Sequence, residues 1–288
     1  MPELPEVETI ARGLDERLRG DRILSTWFSG KREPFKTPPQ AMAQALPGMR
    51  IERVFRVGKH IVFDLEPVSP KRSGTEPAAG ALQWIVHLGM TGRLLIADAA
   101  SAVPAHTHGI LSLASGRELR FTDPRRFGRM ELHLPASESE PGKARGFAGT
   151  GREPLSISVE EFTVLFRGRR TPIKAALLNQ KLLHGVGNIY ADESLFRAGI
   201  RPRRMAARLT RADLANLHEG LARVLREAIA LGGSSVSDYV DATGAKGFFQ
   251  LEHRVYLRTG KPCLVCGTPI RRILVAGRGT HYCPHCQR

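Results

Sequence analysis

The chain has 288 residues, 42% of them hydrophobic, enough for about two domains with cores of their own. Its 43 lysines and arginines outnumber 28 acids, a net charge of +15; such an excess points to a polyanionic partner, because phosphates attract basic surfaces whatever their sequence. No apolar run approaches the ~18 residues of a membrane helix, the first residues are acidic where a secretory signal would be basic, and four cysteines, all at or beyond Cys263, do not read as a disulfide framework.

The chain begins Met1-Pro2-Glu3-Leu4-Pro5-Glu6-Val7-Glu8. Removal of Met1 turns Pro2 into a terminal secondary amine. Ordinary α-amino groups titrate near ~7.7–8 against roughly 10.4 for lysine, so part of this amine is free base, and therefore nucleophilic, at neutral pH. Attack on a sugar C1′ would give an iminium directly, which draws electrons from C2′ and breaks a strand by elimination. Glu3 stands beside it as an acid or base for the same sugar. Residues 6 to 19 follow as an amphipathic helix with Val7, Ile10, Leu14 and Leu18 on one face and Gly20 at its C-cap.

A β-rich stretch comes next. Residues 50–56 and 60–65 alternate as strands around Val57-Gly58-Lys59, and 82–88 and 93–96 add two more. Residues 109–113 and 118–121 form a hairpin about Ser115-Gly116, and 130–134 is a further strand. Many short strands with turn signals predict a β-sandwich or barrel. Residues 67–80, rich in Pro, Ser and Gly, read as a surface loop, and the shift to Ser, Glu, Gly and Ala around 135–151 as a linker. Helix signals dominate beyond it. Ser158 with Glu161 makes a capping box, Thr171-Pro172 a cap with proline at the first helical position, and Thr210 starts a helix carrying Leu214, Leu217, Leu221, Val224 and Leu225 that ends at Gly232-Gly233. Gly185-Val186-Gly187-Asn188 before a helical run predicts a tight turn, an Asn cap and a helix N-terminus whose free N–H groups suit phosphate. Residues 232–250 suit either a mobile loop or a linker. Last, Cys263-x2-Cys266 and Cys283-x2-Cys286, sixteen residues apart, have the spacing of a tetrahedral structural zinc site. Four thiolates complete that shell, which leaves His281 and His285 as surface histidines.

Over nearly its whole length, and in this order, the chain resembles the bacterial formamidopyrimidine-DNA glycosylases. The resemblance rests on Pro-Glu-Leu-Pro-Glu-Val-Glu at the start, Arg56-Val57-Gly58-Lys59-His60, His87-Leu88-Gly89-Met90-Thr91-Gly92, Asp123-Pro124-Arg125-Arg126-Phe127-Gly128, the stretch from Gln180 through Phe196, and the cysteine hairpin with Gly277-Arg278-Gly279-Thr280 at its tip. It implies an α+β fold: an N-terminal catalytic β-sandwich flanked by helices (1–135), a linker (136–151), a helix–two-turn–helix DNA-binding domain with a lesion loop (152–250) and a zinc hairpin (251–288). It implies a bifunctional glycosylase and abasic-site lyase that excises oxidised purines from duplex DNA. Pro2 is then the nucleophile, Glu3 the proton shuttle, Lys59 an assistant at the sugar, and Arg278 a participant in the second elimination. Met90, Arg125 and Phe127 would fill the duplex left by a flipped nucleotide. His106 would touch a phosphate, with His108 two residues on as the other choice; Arg170, Lys174 and Asn188 would hold the backbone. Cys263, Cys266, Cys283 and Cys286 would bind one zinc. The implied protein is a cytoplasmic, nucleoid-associated monomer whose partner is damaged double-stranded DNA and which meets no membrane. His184 departs from an expected apolar residue. Two other readings are an endonuclease VIII-like glycosylase for oxidised pyrimidines, against which Leu4 speaks because glycine is usual there, and a non-catalytic zinc-hairpin DNA-binding protein, against which Pro2, Glu3 and Lys59 speak.

Overall fold

The computed structural model describes residues 1–68, 82–133, 146–236 and 239–288; the expected surface loop beyond residue 68 and the expected linker up to residue 145 lie outside them. The chain divides into two compact units, one made of Met1–Pro2, Glu6–Ala148 and Ser235–Gly247, the other of Glu3–Pro5, Gly149–Ser234 and Phe248–Arg288.

In the first unit the elements are α1 (Leu4–Leu18, its first residues counted with the second unit), β1 (Ile23–Phe28), α2 (Pro39–Ala45), β2 (Met49–Val57), β3 (His60–Pro67), β4 (Leu82–His87), β5 (Arg93–Asp98), β6 (Thr107–Leu113), β7 (Arg117–Thr122) and β8 (Arg129–His133). Helix α1 starts two residues earlier than its apolar period predicts, since Pro5 is tolerated in a first turn. Two antiparallel sheets form, in the orders β2-β3-β4-β8 and β1-β6-β7-β5. Every second residue of their strands enters one core: Ile61, Phe63 and Leu65 from β3, Leu82, Trp84 and Val86 from β4, Leu111 and Leu113 from β6, Leu119 and Phe121 from β7. Val7, Ile10, Leu14 and Leu18 of α1 join them, as a 3.6-residue period requires. The Phe63 and Trp84 rings lie 4.9 Å apart, and each such fully buried side chain stabilises the fold by about 1.5–3 kcal/mol. Strand β1 and helix α2 have no counterpart in the sequence pattern. β1 is an edge strand in which Leu24, Ser25 and Trp27 are exposed, with a register shift between Ile23 and Ser25, so its residues do not alternate cleanly.

Ser235–Gly247 belongs to this unit rather than to the helical region in which the sequence boundaries put it. Tyr239 and Ala242 are part of the β-sandwich core, Ile96 N–H donates to Ala242 O at 3.1 Å, and the Tyr239 hydroxyl reaches Glu6 O at 3.5 Å. Buried apolar contacts of this kind decide membership over composition.

The second unit contains α3 (Val159–Phe166), α4 (Ile173–Leu177), α5 (Asn188–Arg197), α6 (Arg211–Ala230) and the hairpin β9 (Arg271–Val275) and β10 (Arg278–Tyr282). The expected capping box of Ser158 with Glu161 starts α3, and α6 starts at Thr210 as expected, where the structure adds a second capping box with Asp213. Thr171 does not cap α4; Pro172 occupies the cap position and offers no side-chain acceptor. The apolar face of α6, Leu214, Leu217, Leu221, Val224 and Leu225, packs with Tyr190 and Leu195 of α5, and Leu4 is buried in the same core. Glu193 of α5, fully buried, accepts N–H bonds from Arg254, Val255 and Tyr256 at 2.8–3.0 Å. Three backbone donors compensate its desolvation and fix the segment that leads into the cysteine module.

Candidate active site and DNA interface

The turn before α5 is a socket for the start of the chain. Leu4 N–H donates to Gly185 O at 3.0 Å. The Glu3 carboxylate, 4% exposed, accepts from Ile189 N–H at 3.1 Å and Tyr190 N–H at 3.4 Å. These are orphan donors of the helix N-terminus, and a carboxylate there is favoured by the helix dipole. A methyl group on Gly187 would overlap Glu3 Cδ and Oε1, and one on Gly185, whose φ is +90°, would lie 2.9 Å from the Leu4 side chain. The Gly-x-Gly turn therefore receives Glu3 and Leu4, and the donors expected to cradle a phosphate are taken by Glu3. Asn188 is the first residue of α5 and not its cap, which is Gly187; its amide donates instead to Gly279 O at 3.0 Å. His184 is half-buried and its Nε2 lies 3.2 Å from Glu153 Oε2.

The same helix holds the β9–β10 hairpin. Ala276 and Gly277, at φ +47° and +75°, make the two-residue turn whose positive φ values match the twist of a hairpin. Arg278 follows, exposed at the tip. Behind it, Lys174 is fully buried. Its ammonium lies 2.7 Å from Asp192 Oδ1 and donates to Thr280 Oγ1 at 2.8 Å and Gly279 O at 3.1 Å. Two hydrogen bonds and the ion pair with Asp192 thereby occupy the ammonium, and burial pushes this lysine below its ordinary range against the pull of Asp192. The expected phosphate contact of Lys174 is thus corrected: it presents no surface to a phosphate. Asp192 Oδ2 accepts from His281 N–H at 2.8 Å and faces His281 Nδ1 at 3.2 Å, so His281 is a buried partner of α5 rather than the expected surface histidine. Arg170 is exposed.

At the base of the hairpin the four sulfurs of Cys263, Cys266, Cys283 and Cys286 lie within 4.8 Å of one another. The separations Cys263–Cys286 of 3.9 Å and Cys266–Cys283 of 3.5 Å bracket the ~3.8 Å edge of a tetrahedron with Zn–S arms of about 2.3 Å. Val265 N–H and Cys286 N–H point at the Cys263 and Cys283 sulfurs, the outer contacts that orient thiolate ligands. The donor set fits one structural zinc ion.

In the first unit Pro2 is half-buried and Lys59 is 9% exposed, not the solvated charge usual in a turn. The turn is braced by Arg56, which donates to Gly58 O at 3.2 Å and to Glu8 at 2.7 Å. Met90 and Phe127 stand out, 42% and 50% exposed, with the Arg125 guanidinium 4.6 Å from the Phe127 ring. A Cβ on Gly89, at φ +64°, would come within 2.5 Å of the Phe127–Gly128 backbone, so the loops that carry Met90 and Phe127 touch. His106 is exposed at φ +62°. His108 is buried, donating from Nε2 to Asp123 O at 3.2 Å and facing Ser29 Oγ at 3.0 Å; of the two histidines only His106 is available to a ligand.

Asp123 is the functional residue that motif reading passed over. Fully buried, it accepts from Thr91 Oγ1 at 2.5 Å, Gly128 N–H at 2.8 Å and Arg125 N–H at 3.3 Å. Its own N–H donates to His106 O at 3.0 Å. The carboxylate ties the Met90 and Arg125–Phe127 loops together, and the backbone N–H of the same residue adds the His106 segment. An acid opening an arginine-rich turn was the visible signal.

The described residues include a seated carboxylate at Glu3, the residue after Pro2, a hairpin that carries Arg278 on a cysteine module, and exposed apolar loop tips at Met90 and Phe127 with Arg125 beside the latter: the parts of a DNA-processing enzyme. Models of the formamidopyrimidine-DNA glycosylase N-terminal domain, of its H2TH domain and of a zinc finger found in FPG and IleRS match residues 1–130, 150–240 and 260–288. The formamidopyrimidine-DNA glycosylase of Solibacter usitatus is 45% identical over 288 residues, covering both chains completely. Among solved structures, a mutant of the Lactococcus lactis FPG bound to Fapy-dG-containing DNA has a TM-score of 0.83 at 33% identity with full coverage of both chains. The Lactococcus lactis Fpg bound to DNA containing an abasic site also scores 0.83 at 33% identity, covering 99% of each. The chain belongs to the formamidopyrimidine-DNA glycosylase family. No described helix is long and apolar enough to cross a membrane.

Proposed function

We propose that this protein excises oxidised purines, 8-oxoguanine and formamidopyrimidines, from duplex DNA and nicks the resulting abasic site by β,δ-elimination, acting in base excision repair on nucleoid DNA in the cytoplasm. The observation that carries the reading is the seat that α5 builds for Glu3, the residue adjoining Pro2. A carboxylate buried against the backbone donors of a helix N-terminus is costly to desolvate and suits a group that must be held in a single orientation.

Pro2, once Met1 is gone, forms a bond from its nitrogen lone pair to C1′ as the glycosidic bond breaks, and the base leaves with that electron pair and takes up a proton. Glu3 moves protons at the sugar: as the ring oxygen O4′ takes up a proton and the C1′–O4′ bond breaks, the Pro2 nitrogen becomes double-bonded to C1′ as an iminium. The iminium acidifies C2′; loss of that proton breaks the C3′–O bond, and a second elimination breaks C5′–O, with Lys59 and Arg278 assisting. Met90, Arg125 and Phe127 fill the duplex, as an aromatic and a cation at one loop tip are suited to do. His106, Arg170 and Asn188 hold the backbone beside Arg278. The zinc bound by the four cysteines keeps β9 and β10 in register and takes no part in the chemistry.

Hydride reduces an iminium to a stable amine, so borohydride present during reaction with 8-oxoguanine opposite cytosine is expected to cross-link protein to DNA on a peptide beginning at Pro2. A chain that keeps Met1 is expected to bind lesion DNA and give no adduct, because an amide nitrogen is not nucleophilic. An adduct on Lys59 would overturn the nucleophile; no adduct with any damaged purine or pyrimidine would overturn the proposed Schiff-base chemistry.

A further inference from the structure

We propose that Lys174 and Asp192 are positioning residues: a buried ion pair that locks the Arg278 hairpin onto α5, so that Lys174 acts on DNA only through Arg278. The proposal rests on the reading of Arg278 as a residue that meets DNA at the lesion.

The argument begins from what each partner gives up. An ammonium and a carboxylate, both fully buried, are expensive to desolvate and contribute little net stability as a pair. Such a pair is best explained by the geometry it imposes. Here its satellites all lie on one short segment of β10. Lys174 donates to Gly279 O and Thr280 Oγ1, and Asp192 accepts from the His281 N–H. Asn188, one turn before Asp192 on α5, donates to the same Gly279 O. Three consecutive residues after Arg278 are therefore held from α4 and α5 by four polar contacts. The hairpin's own ladder does not supply this constraint, because a two-stranded ribbon is marginal alone and free to twist.

Helix α5 also holds Glu3 through the N–H groups of Ile189 and Tyr190. Within its first five residues it grips the acid on one side and, through Asp192, the arginine hairpin on the other. Asp192 is the fourth residue after Asn188, so its side chain lies above it on the same face. Lys174 completes the arrangement, since without its charge the Asp192 carboxylate would be buried and uncompensated.

The test is a double-mutant cycle on the full-length zinc-loaded protein, with undamaged duplex as the binding probe and an abasic-site duplex as the cleavage probe. A direct phosphate contact by Lys174 predicts that Lys174→Met lowers the salt slope by about 0.9 in both the parent and the Arg278→Ala background. A positioning role predicts a lower slope in the parent and no further change when Arg278 is already gone. Lys174→Met/Asp192→Asn, which removes both charges, controls for misfolding. It is expected to keep its zinc and its melting transition while amide exchange at Gly279–His281 quickens by about ten- to a hundredfold, the loss of one hydrogen bond to a charged group. The product of the second elimination is expected to fall in that variant to the level of Arg278→Ala. Additive slopes, or exchange and product ratios equal to those of the parent, would overturn the proposal. If Arg278→Ala alone changes neither slope nor products, the reading of Arg278 fails, and the exchange measurement still decides whether the clamp exists.

Discussion

Gly187→Ala tests the link between the Gly-x-Gly turn and the chemistry. At φ −130° and ψ −161° the Gly187 backbone is one that alanine adopts freely, so the cost is one of space. The new methyl group would overlap Glu3 Cδ and Oε1 and stand 2.6 Å from Cγ. A flexible side chain yields before a helix does, so Glu3 swings away and loses its N–H partners. The bond to Ile189, at 3.1 Å, is the substantial one; that to Tyr190, at 3.4 Å, is at the weak end of the range. One hydrogen bond to a charged group is worth about 1.5–3 kcal/mol, or roughly 10- to 150-fold at 1.36 kcal/mol per decade. Single-turnover release of 8-oxoguanine is expected to slow by that factor while zinc content and the unfolding transition stay close to those of the parent. Gly185→Ala is the contrast. There the left-handed φ of +90° and the Leu4 contact penalise the fold, by about 1–2 kcal/mol for the backbone alone, so stability falls. Excision by Gly187→Ala at the parental rate, or lost only in step with unfolding, would refute the assignment of this turn as the seat of Glu3.

Phe127→Ala is expected to slow excision from duplex about tenfold or more, since base–aromatic stacking is worth about 1–3 kcal/mol, and to slow nicking of a preformed abasic site less; equal losses on both substrates would mean a folding defect. Metal analysis is expected to find one zinc per chain, and Cys283→Ala to lose DNA binding as the hairpin loosens; zinc-free protein that still binds DNA would exclude the structural role. Acid stability follows from His87, whose Nδ1 accepts Gly89 N–H at 3.1 Å and whose pKa burial lowers to about 4, with help from His60 and Lys59. The fold favours the neutral ring, so the unfolded chain takes up a proton first as pH falls. This stability is complete above pH ~6.5 and lost on the way down to about 4, amounting to roughly 2 kcal/mol between pH 6.5 and 5. His87→Gln is expected to flatten that part of the denaturation profile, and an unchanged profile would count against it.

Local pattern was enough for much of the molecule. The CxxC pairs, the Ser158 capping box, the helix start at Thr210 and the alternation of β3 are short-range signals. Each depends on residues a few positions apart, and each is present as expected. The family motifs, read in order, marked Pro2, Lys59, Met90 and Phe127 as residues of interest. What the pattern could not carry is where a polar group finds its partner. Glu3 is seated 186 positions away at Ile189, and Lys174, expected on a phosphate, is buried against Asp192 and a hairpin 106 residues further on. Asp123 is informative only once Thr91 and Gly128 converge on it. An exposed lysine and a buried one read alike in a sequence. Only the packing of α4 and α5 against the hairpin excludes water from Lys174, and desolvation then obliges its charge to find Asp192.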